Sequence, residues 1–137
     1  MAALDTFLVL IADDSKPSRD ELARTLAEVG RLRLSQVTNG AEALRAIEKE
    51  RPDLALFDQT MPVLDGLQAL KLVRRRWSAV ELPILMLTGS QSVSDKVAAF
   101  RFGANDYVTK PAHRQELLAR VQAQLALKTA MQQNVAA

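Results

Sequence analysis

Short apolar runs of strand length alternate with amphipathic helical segments along this 137-residue chain. Three runs are apolar at every position: Phe7–Ala12 (FLVLIA), Leu54–Phe57 (LALF) and Ile84–Leu87 (ILML). Such strands are typically buried on both faces of a sheet. Weaker strand patterns lie at Leu32–Val37 and Asp106–Thr109. Five strands in strict alternation with five helices predict an α/β fold, in which right-handed crossovers build one parallel sheet with helices on both faces.

Turn and cap residues predict where the helices begin and end. Pro17 suits the first turn of the first helix, where its missing N–H costs nothing. Asn39 is a candidate N-cap, with Glu42 placed to reach back to it as in a capping box. Asp65 is a second candidate cap, and Gly103 a helix stop. No repeat or interdomain linker is present in the sequence, so we expect a single domain.

Composition excludes several classes of protein. The chain has no cysteine and one histidine, His113, which excludes disulfides, thiolate metal sites and histidine-rich metal sites. No apolar run approaches 18 residues, and Met1–Thr6 lacks the features of a signal peptide, so we predict a cytoplasmic protein with no membrane contact. A net charge of +2 and 4% aromatic residues do not favour nucleic-acid binding. The basic run Arg74–Arg76 is interpreted as a solvated helix end.

Polar side chains follow four of the predicted strands at the point where each ends. The first strand ends in Asp13 and Asp14, the third in Asp58, the fourth in Thr88 and the fifth in Lys110. Ligands of open parallel sheets bind at the carboxyl ends of the strands, so these groups should gather at one edge. Clustered carboxylates repel one another unless a cation separates them. Ligands that are all oxygen, without cysteine or histidine, favour Mg²⁺.

The chemistry of this predicted edge fits phosphoryl transfer. Lysine places a compact positive charge on phosphate, and phosphoryl transfer depends mainly on positioning and charge neutralisation. A carboxylate can itself be the nucleophile and become an aspartyl phosphate. Asp58 is the best candidate acceptor, because it ends a central strand alone. The pair Asp13 and Asp14 is better placed to hold metal.

These residues strongly resemble the receiver domain of two-component response regulators, over about residues 5–125. The resemblance rests on motifs in the family's order at the predicted strand ends: Asp13–Asp14, Asp58–Gly66, Thr88–Gly89 and Gly103–Pro111. It implies a flavodoxin-like (βα)5 fold, doubly wound, with strand order 2-1-3-4-5. We therefore predict a receiver domain over residues 1–125 and a C-terminal helical extension or tail over residues 126–137.

The resemblance also implies the roles of the acidic residues. Asp58 would accept a phosphoryl group from a sensor histidine kinase or a phosphotransfer protein. Asp13, Asp14, Asp58 and the backbone carbonyl of Thr60 would hold Mg²⁺. The domain would be a signalling module rather than an enzyme, with only weak self-phosphorylation and autodephosphorylation.

The remaining implied roles concern the switch that follows phosphorylation. Lys110 would contact the phosphoryl group, and the Lys110–Pro111 peptide bond would be cis. Thr88 would move toward the phosphoryl oxygens and Tyr107 would turn inward with it, although a half-buried tyrosine that never moves is the alternative. The surface of the fourth helix, fifth strand and fifth helix would then act on a downstream protein. Cations expected there, which could meet an acidic partner, are Lys96, Arg101, Arg114 and Arg120.

Other functions were weighed against this interpretation. A receiver that takes no phosphate and serves as a protein-docking module is the nearest alternative. A phosphohydrolase of the haloacid dehalogenase type would need Asp-x-Asp after its first strand, where this chain has Asp13-Asp14. A flavodoxin-like flavin protein would need a hydroxyl- and glycine-rich phosphate loop there. The tail, with Leu127, Met131 and Val135 at helical spacing, could dimerise, dock or connect to an output module, or fray near Asn134.

Overall fold

The predicted alternation of strands and helices is confirmed. A computed structural model describes residues 6–136, with side chains described for residues 6–130. Its elements, in chain order, are β1 (Phe7–Ala12), α1 (Lys16–Leu26), β2 (Leu32–Val37), α2 (Gly40–Lys49), β3 (Leu54–Asp58), α3 (Gly66–Val73), β4 (Ile84–Thr88), α4 (Val93–Arg101), β5 (Asp106–Thr109) and α5 (Arg114–Ala136).

The five strands form one parallel sheet in the order β2-β1-β3-β4-β5, as predicted. The register brings the carboxyl ends of the strands to one edge. Ala12 lies opposite Val37 on one side and Phe57 on the other, while Thr88 lies opposite Thr109. The residues that follow these positions therefore project from the same edge.

Helices cover both faces of the sheet. In β1, Val9 and Ile11 face the layer that holds α1 and α5, whereas Leu10 and Ala12 face the layer that holds α2, α3 and Ala99 of α4. Every residue of β3 and β4 is buried. Burial on both faces explains why the central strands read as continuous apolar runs rather than as alternating patterns.

The helix caps agree with the sequence except in one detail. Asp65 and Gln68 form a full capping box at α3. Asn39 caps α2 through the N–H of Glu42, as predicted. Glu42 does not reach back to Asn39, however, because its Oε1 accepts from both the N–H and the hydroxyl of Thr38. Thr38 therefore supplies two donors to the Glu42 carboxylate. The first turn of α2 is still capped by Asn39.

The prediction that Arg74–Arg76 is a solvated helix end is wrong for Arg74. Its guanidinium donates to the carbonyl oxygens of Gly103 and Leu82 at 2.9 and 2.8 Å, and to Asn105 Oδ1 at 3.0 Å. Burial lowers the pKa of Arg74 to about 10. The side chain thereby ties the end of α3 to the loop between α4 and β5. Only the other two arginines of the run are exposed.

Helix α4 packs shallowly. The helical spacing of Val93, Val97 and Phe100 resembles a core stripe, yet these side chains are 74%, 47% and 46% exposed. Ala99 is the one fully buried side chain of this helix. The apolar surface of α4 therefore faces solvent next to β5 and α5.

Helix α5 runs without a break across the predicted boundary after residue 125. Lys128, whose side chain is 10% exposed, donates to the carbonyl oxygen of Glu81 at 3.2 Å and lies 3.8 Å from Asp53 Oδ1. The helical extension after residue 125 therefore contacts the edge of the sheet where β3 and β4 begin. The division into a domain over residues 1–125 and a tail over residues 126–137 stays a prediction. The side chains of Met131, Asn134 and Val135 lie outside the described residues. Within residues 6–136, no helix combines the length and apolarity needed to cross a membrane.

Candidate functional site

Three carboxylates gather at the carboxyl edge of the sheet. Asp13 and Asp14 follow β1, and Asp58 ends the neighbouring strand β3. One oxygen from each lies within 4.8 Å of the others. Asp13 and Asp58 are buried, whereas Asp14 is exposed. The cluster therefore opens to solvent on the side of Asp14.

Lys110 places its ammonium between the two buried carboxylates. The Nζ atom donates to Asp13 Oδ2 at 2.8 Å and lies 3.5 Å from Asp58 Oδ2. The backbone N–H of Lys110 donates to the carbonyl oxygen of Thr88, which anchors the end of β5 on β4. The Lys110–Pro111 peptide bond is cis. The lysine is thus closer to Asp13 than to the predicted acceptor.

Asp13 is surrounded by donors. Its Oδ1 accepts from the N–H of Ser15 at 2.9 Å, and its Oδ2 accepts from the hydroxyl of Ser18 at 2.5 Å as well as from Lys110. Burial alone would raise the pKa of Asp13, but the hydrogen bonds from Lys110, Ser18 and Ser15 outweigh it and lower the pKa. Asp13 is therefore held in its charged form.

Asp58 has the opposite electrostatic balance. Burial raises its pKa, and the negative charge of Asp13 raises it further, while Lys110 and the N–H of Thr60 only partly oppose this shift. The carboxylate of Asp58 is therefore short of positive partners. A bound cation would meet that need. The backbone of Thr60 lies beside Asp58 through its N–H, and the ligand role of its carbonyl oxygen stays a prediction.

Thr88 and Tyr107 form a second group, joined by Ser90. The Thr88 hydroxyl oxygen accepts from the N–H of Ser90 at 3.0 Å, and the Tyr107 hydroxyl donates to the carbonyl oxygen of Ser90 at 3.4 Å. Both side chains are buried, so Tyr107 points inward in this structure. The ring of Phe100 lies 6.5 Å from that of Tyr107. The loop after β4 thus connects the sheet edge to α4.

A cavity of about 420 Å³ leads to the carboxylates from the groove between α1 and α5. Its walls are apolar at Leu22, Leu87 and Leu117, and its inner end reaches Asp58 and Lys110. The cavity therefore extends from this groove to the predicted acceptor.

Sequence reasoning found the four charged groups that meet here, because each lies at the end of a strand or within two residues after it. It missed Ser15, Ser18 and Arg19. Ser15 caps α1, and Arg19 donates to the backbone carbonyl of Asp13 at 2.8 Å. The available signal was their position in the first turn after the acidic pair, where side chains turn back toward the strand end.

The donor set fits Mg²⁺. Asp13, Asp14 and Asp58 offer only carboxylate oxygens, and the exposed side of the cluster leaves room for the waters that this ion retains. A cation at this point would also relieve the repulsion among the three carboxylates. Asp13, Asp14 and Asp58 are therefore the residues that would hold the ion.

A parallel sheet in this strand order, with three acids and a lysine at one edge, defines a receiver-type signalling domain. The response regulator receiver domain model matches residues 9–122. The chain belongs to this family, and the expectation drawn from its motifs is confirmed. Within the family it is similar to response regulator MprA of Mycobacterium leprae, with 40% identity over 117 residues. That match covers 85% of this chain and 50% of the relative, so the chain spans about half the length of such curated relatives.

Solved structures support the same assignment. A CheY-like receiver domain protein of Methanospirillum hungatei has a TM-score of 0.83 at 27% identity, covering 92% of this chain and 98% of that one. The receiver domain of sensor histidine kinase PA1611 of Pseudomonas aeruginosa has a TM-score of 0.79 at 30% identity, covering 88% and 98%. That structure holds a magnesium ion in its active site cleft.

Proposed function

We propose that Asp58 accepts a phosphoryl group from a phosphohistidine of a sensor histidine kinase or phosphotransfer protein. The observation that carries this proposal is the buried Asp58 carboxylate, 3.5 Å from the Lys110 ammonium and grouped with two further acids. A carboxylate oxygen of Asp58 forms the new bond to phosphorus while the P–N bond of the donor breaks. The imidazole leaves and takes up a proton.

Each residue of the site has a separate part in this transfer. Asp58 is the nucleophile, and Lys110 neutralises charge on the phosphoryl oxygens. Asp13, Asp14, Asp58 and the Thr60 carbonyl would hold Mg²⁺. The bound ion supplies charge neutralisation and orientation of the phosphoryl group. The rim of α1 and α5 admits the donor through the cavity described above.

Phosphorylation then changes the surface formed by α4, β5 and α5. The hydroxyl of Thr88 leaves the N–H of Ser90 for a phosphoryl oxygen, and the loop carrying Ser90 shifts with it. Tyr107, which already points inward and is hydrogen-bonded to the same residue, moves with this loop and changes its contact with the ring of Phe100. The phosphoryl group therefore shifts a two-state population through contacts made in one state only. A downstream protein reads the changed surface.

The test is modification by acetyl phosphate in the presence of Mg²⁺, followed by intact-mass spectrometry. The wild-type chain should gain one phosphoryl group that hydroxylamine removes, as expected for an acyl phosphate. Asp58→Asn should gain none. Asp65→Asn is the matched control, because asparagine keeps the cap of α3 while the same charge is lost nearby. Modification that persists in Asp58→Asn would refute the assignment of the acceptor.

A further inference from the structure

Ser18 completes a triangle of hydrogen bonds with Asp13 and Lys110. Its hydroxyl donates to Asp13 Oδ2 at 2.5 Å, and its oxygen accepts from Lys110 Nζ at 3.1 Å. The same Nζ donates to Asp13 Oδ2 at 2.8 Å. Ser18 is thus one of the two closest polar contacts of the ammonium, and it is the uncharged one.

The position of Ser18 is fixed by the start of α1. Its backbone N–H donates to the hydroxyl of Ser15, the N-cap of the helix. Arg19, the next residue, donates to the backbone carbonyl oxygen of Asp13. These contacts hold the first turn of α1 against the end of β1. The hydroxyl of Ser18 is therefore presented to Lys110 from the capped first turn of α1.

We infer that Ser18 is a positioning residue that holds the Lys110 ammonium at the site, within reach of Asp58. This inference rests on the proposed function, in which Lys110 neutralises the phosphoryl oxygens. It adds Ser18 to the residues that control the position of the Lys110 ammonium.

The two closest acceptors of Lys110 differ in charge. Asp13 is an anion that would also hold a metal ion, so its oxygens are shared between two cations. Ser18 is neutral, and it keeps a hydrogen bond to the ammonium without cancelling the charge that the phosphoryl group needs. A lysine side chain is long and flexible, and loss of a contact lets it occupy more rotamers. Without Ser18, fewer molecules present the ammonium to Asp58.

The experiment compares Ser18→Ala, Ser18→Thr, Lys110→Ala and the double variant Ser18→Ala/Lys110→Ala. The initial rate of modification by acetyl phosphate should fall about three- to tenfold in Ser18→Ala, the range expected for one lost hydrogen bond. Ser18→Thr keeps the hydroxyl and should stay within about twofold of wild type. In the Lys110→Ala background, Ser18→Ala should have no further effect. Ser94→Ala, at an exposed serine of α4, is the control.

A second measurement needs neither phosphodonor nor metal. The wild type, Ser18→Ala, Lys110→Ala and the double variant form a double-mutant cycle for the free energy of unfolding by urea, and Ser18 and Lys110 should be coupled in it. Independent, additive effects in this cycle would overturn the inference, as would an unchanged rate in Ser18→Ala. If the folded wild type takes no phosphoryl group but the cycle shows coupling, the proposed function fails and the contact stands. If Asp58 is modified and the cycle shows no coupling, only the inference about Ser18 fails.

Discussion

Replacement of Asp58 by asparagine should raise the free energy of unfolding in metal-free buffer. The Asp58 carboxylate is buried beside Asp13 and Asp14, and burial together with the charge of Asp13 raises its pKa. A raised pKa in an acid means that its charged form destabilises the folded state. Asparagine has nearly the same shape and can still accept from the N–H of Thr60, but it carries no charge.

The size of the effect follows from the distances. At an effective dielectric constant of about 20, two carboxylates at the 4.8 Å limit of the cluster repel by roughly 3.5 kcal/mol, and Lys110 at 3.5 Å attracts by roughly 5 kcal/mol. That attraction exceeds the repulsion from Asp13 alone by about 1.5 kcal/mol, so the desolvation of the buried carboxylate, the largest cause of its raised pKa, must outweigh this difference. We expect a gain of about 1–2 kcal/mol, or roughly 3–8 °C in the midpoint of thermal unfolding.

Urea unfolding followed by circular dichroism, from pH 7 down to pH 4, measures this difference. The pKa of folded Asp58 lies above its ordinary value of 3.8, so the folded wild type takes up a proton before the unfolded chain does. Wild-type stability relative to Asp58→Asn therefore increases as the pH falls, and the gap closes toward pH 4. Asp13, whose pKa is lowered, loses its contribution only below 3.8 and does so in both proteins.

Two comparisons make the result decisive. Asp14→Asn removes the same charge from the exposed side of the cluster and should give a smaller gain, because solvent already screens that carboxylate. Mg²⁺ should stabilise the wild type more than Asp58→Asn, because a ligand is missing in the variant. An Asp58→Asn protein that is less stable than wild type at pH 7, or a gap that widens on acidification, would refute the electrostatic reasoning.

Three further substitutions test the packing around the site by urea unfolding. Arg74→Met should lower the free energy of unfolding by about 2–4 kcal/mol, because the carbonyl oxygens of Gly103 and Leu82 lose their donor. Its control, Arg75→Met at an exposed arginine, should change that free energy by less than about 0.5 kcal/mol. Gly66→Ala should destabilise the folded protein, because the added Cβ would clash with the carbonyl oxygen of Asp58. Its control is Gly89→Ala, which should not destabilise the protein, because a Cβ at Gly89 would have no heavy atom within 4 Å. Val93→Ser should change stability by less than about 0.5 kcal/mol; a larger loss would contradict its 74% exposure.

The sheet and the charged groups at its edge could be predicted because their signals are local. An apolar run such as Leu54–Phe57 indicates a doubly covered strand by itself, and a polar residue directly after it must lie at the strand end. Parallel pairing of the strands then brings Asp13, Asp58 and Lys110 to the same edge of the sheet, independently of their side-chain rotamers.

The roles of Ser18 and Arg74 could not be predicted in this way. Ser18 acquires its contact with Lys110 from 92 residues away, and a serine in a first helical turn is common without any such contact. Arg74 lies in a run of three arginines whose members look alike in sequence. Only the arrival of Gly103 and Asn105 from another part of the chain distinguishes Arg74, which is half-buried, from the two exposed arginines.

The shallow seating of α4 has a consequence for how a small chemical change could be transmitted. A helix with a single fully buried side chain loses little packing free energy when it tilts. We therefore expect the backbone amides of α4 to exchange with solvent through local opening well before those of the buried strands β3 and β4. The C-terminal end of α4 stays attached, because the guanidinium of Arg74 donates to the carbonyl oxygen of Gly103 just after the helix. The other end of the helix is joined to Ser90, whose hydroxyl donates to Asp95 Oδ2 at 2.7 Å. We therefore expect a displacement of Ser90 to be passed along α4 to the exposed ring of Phe100.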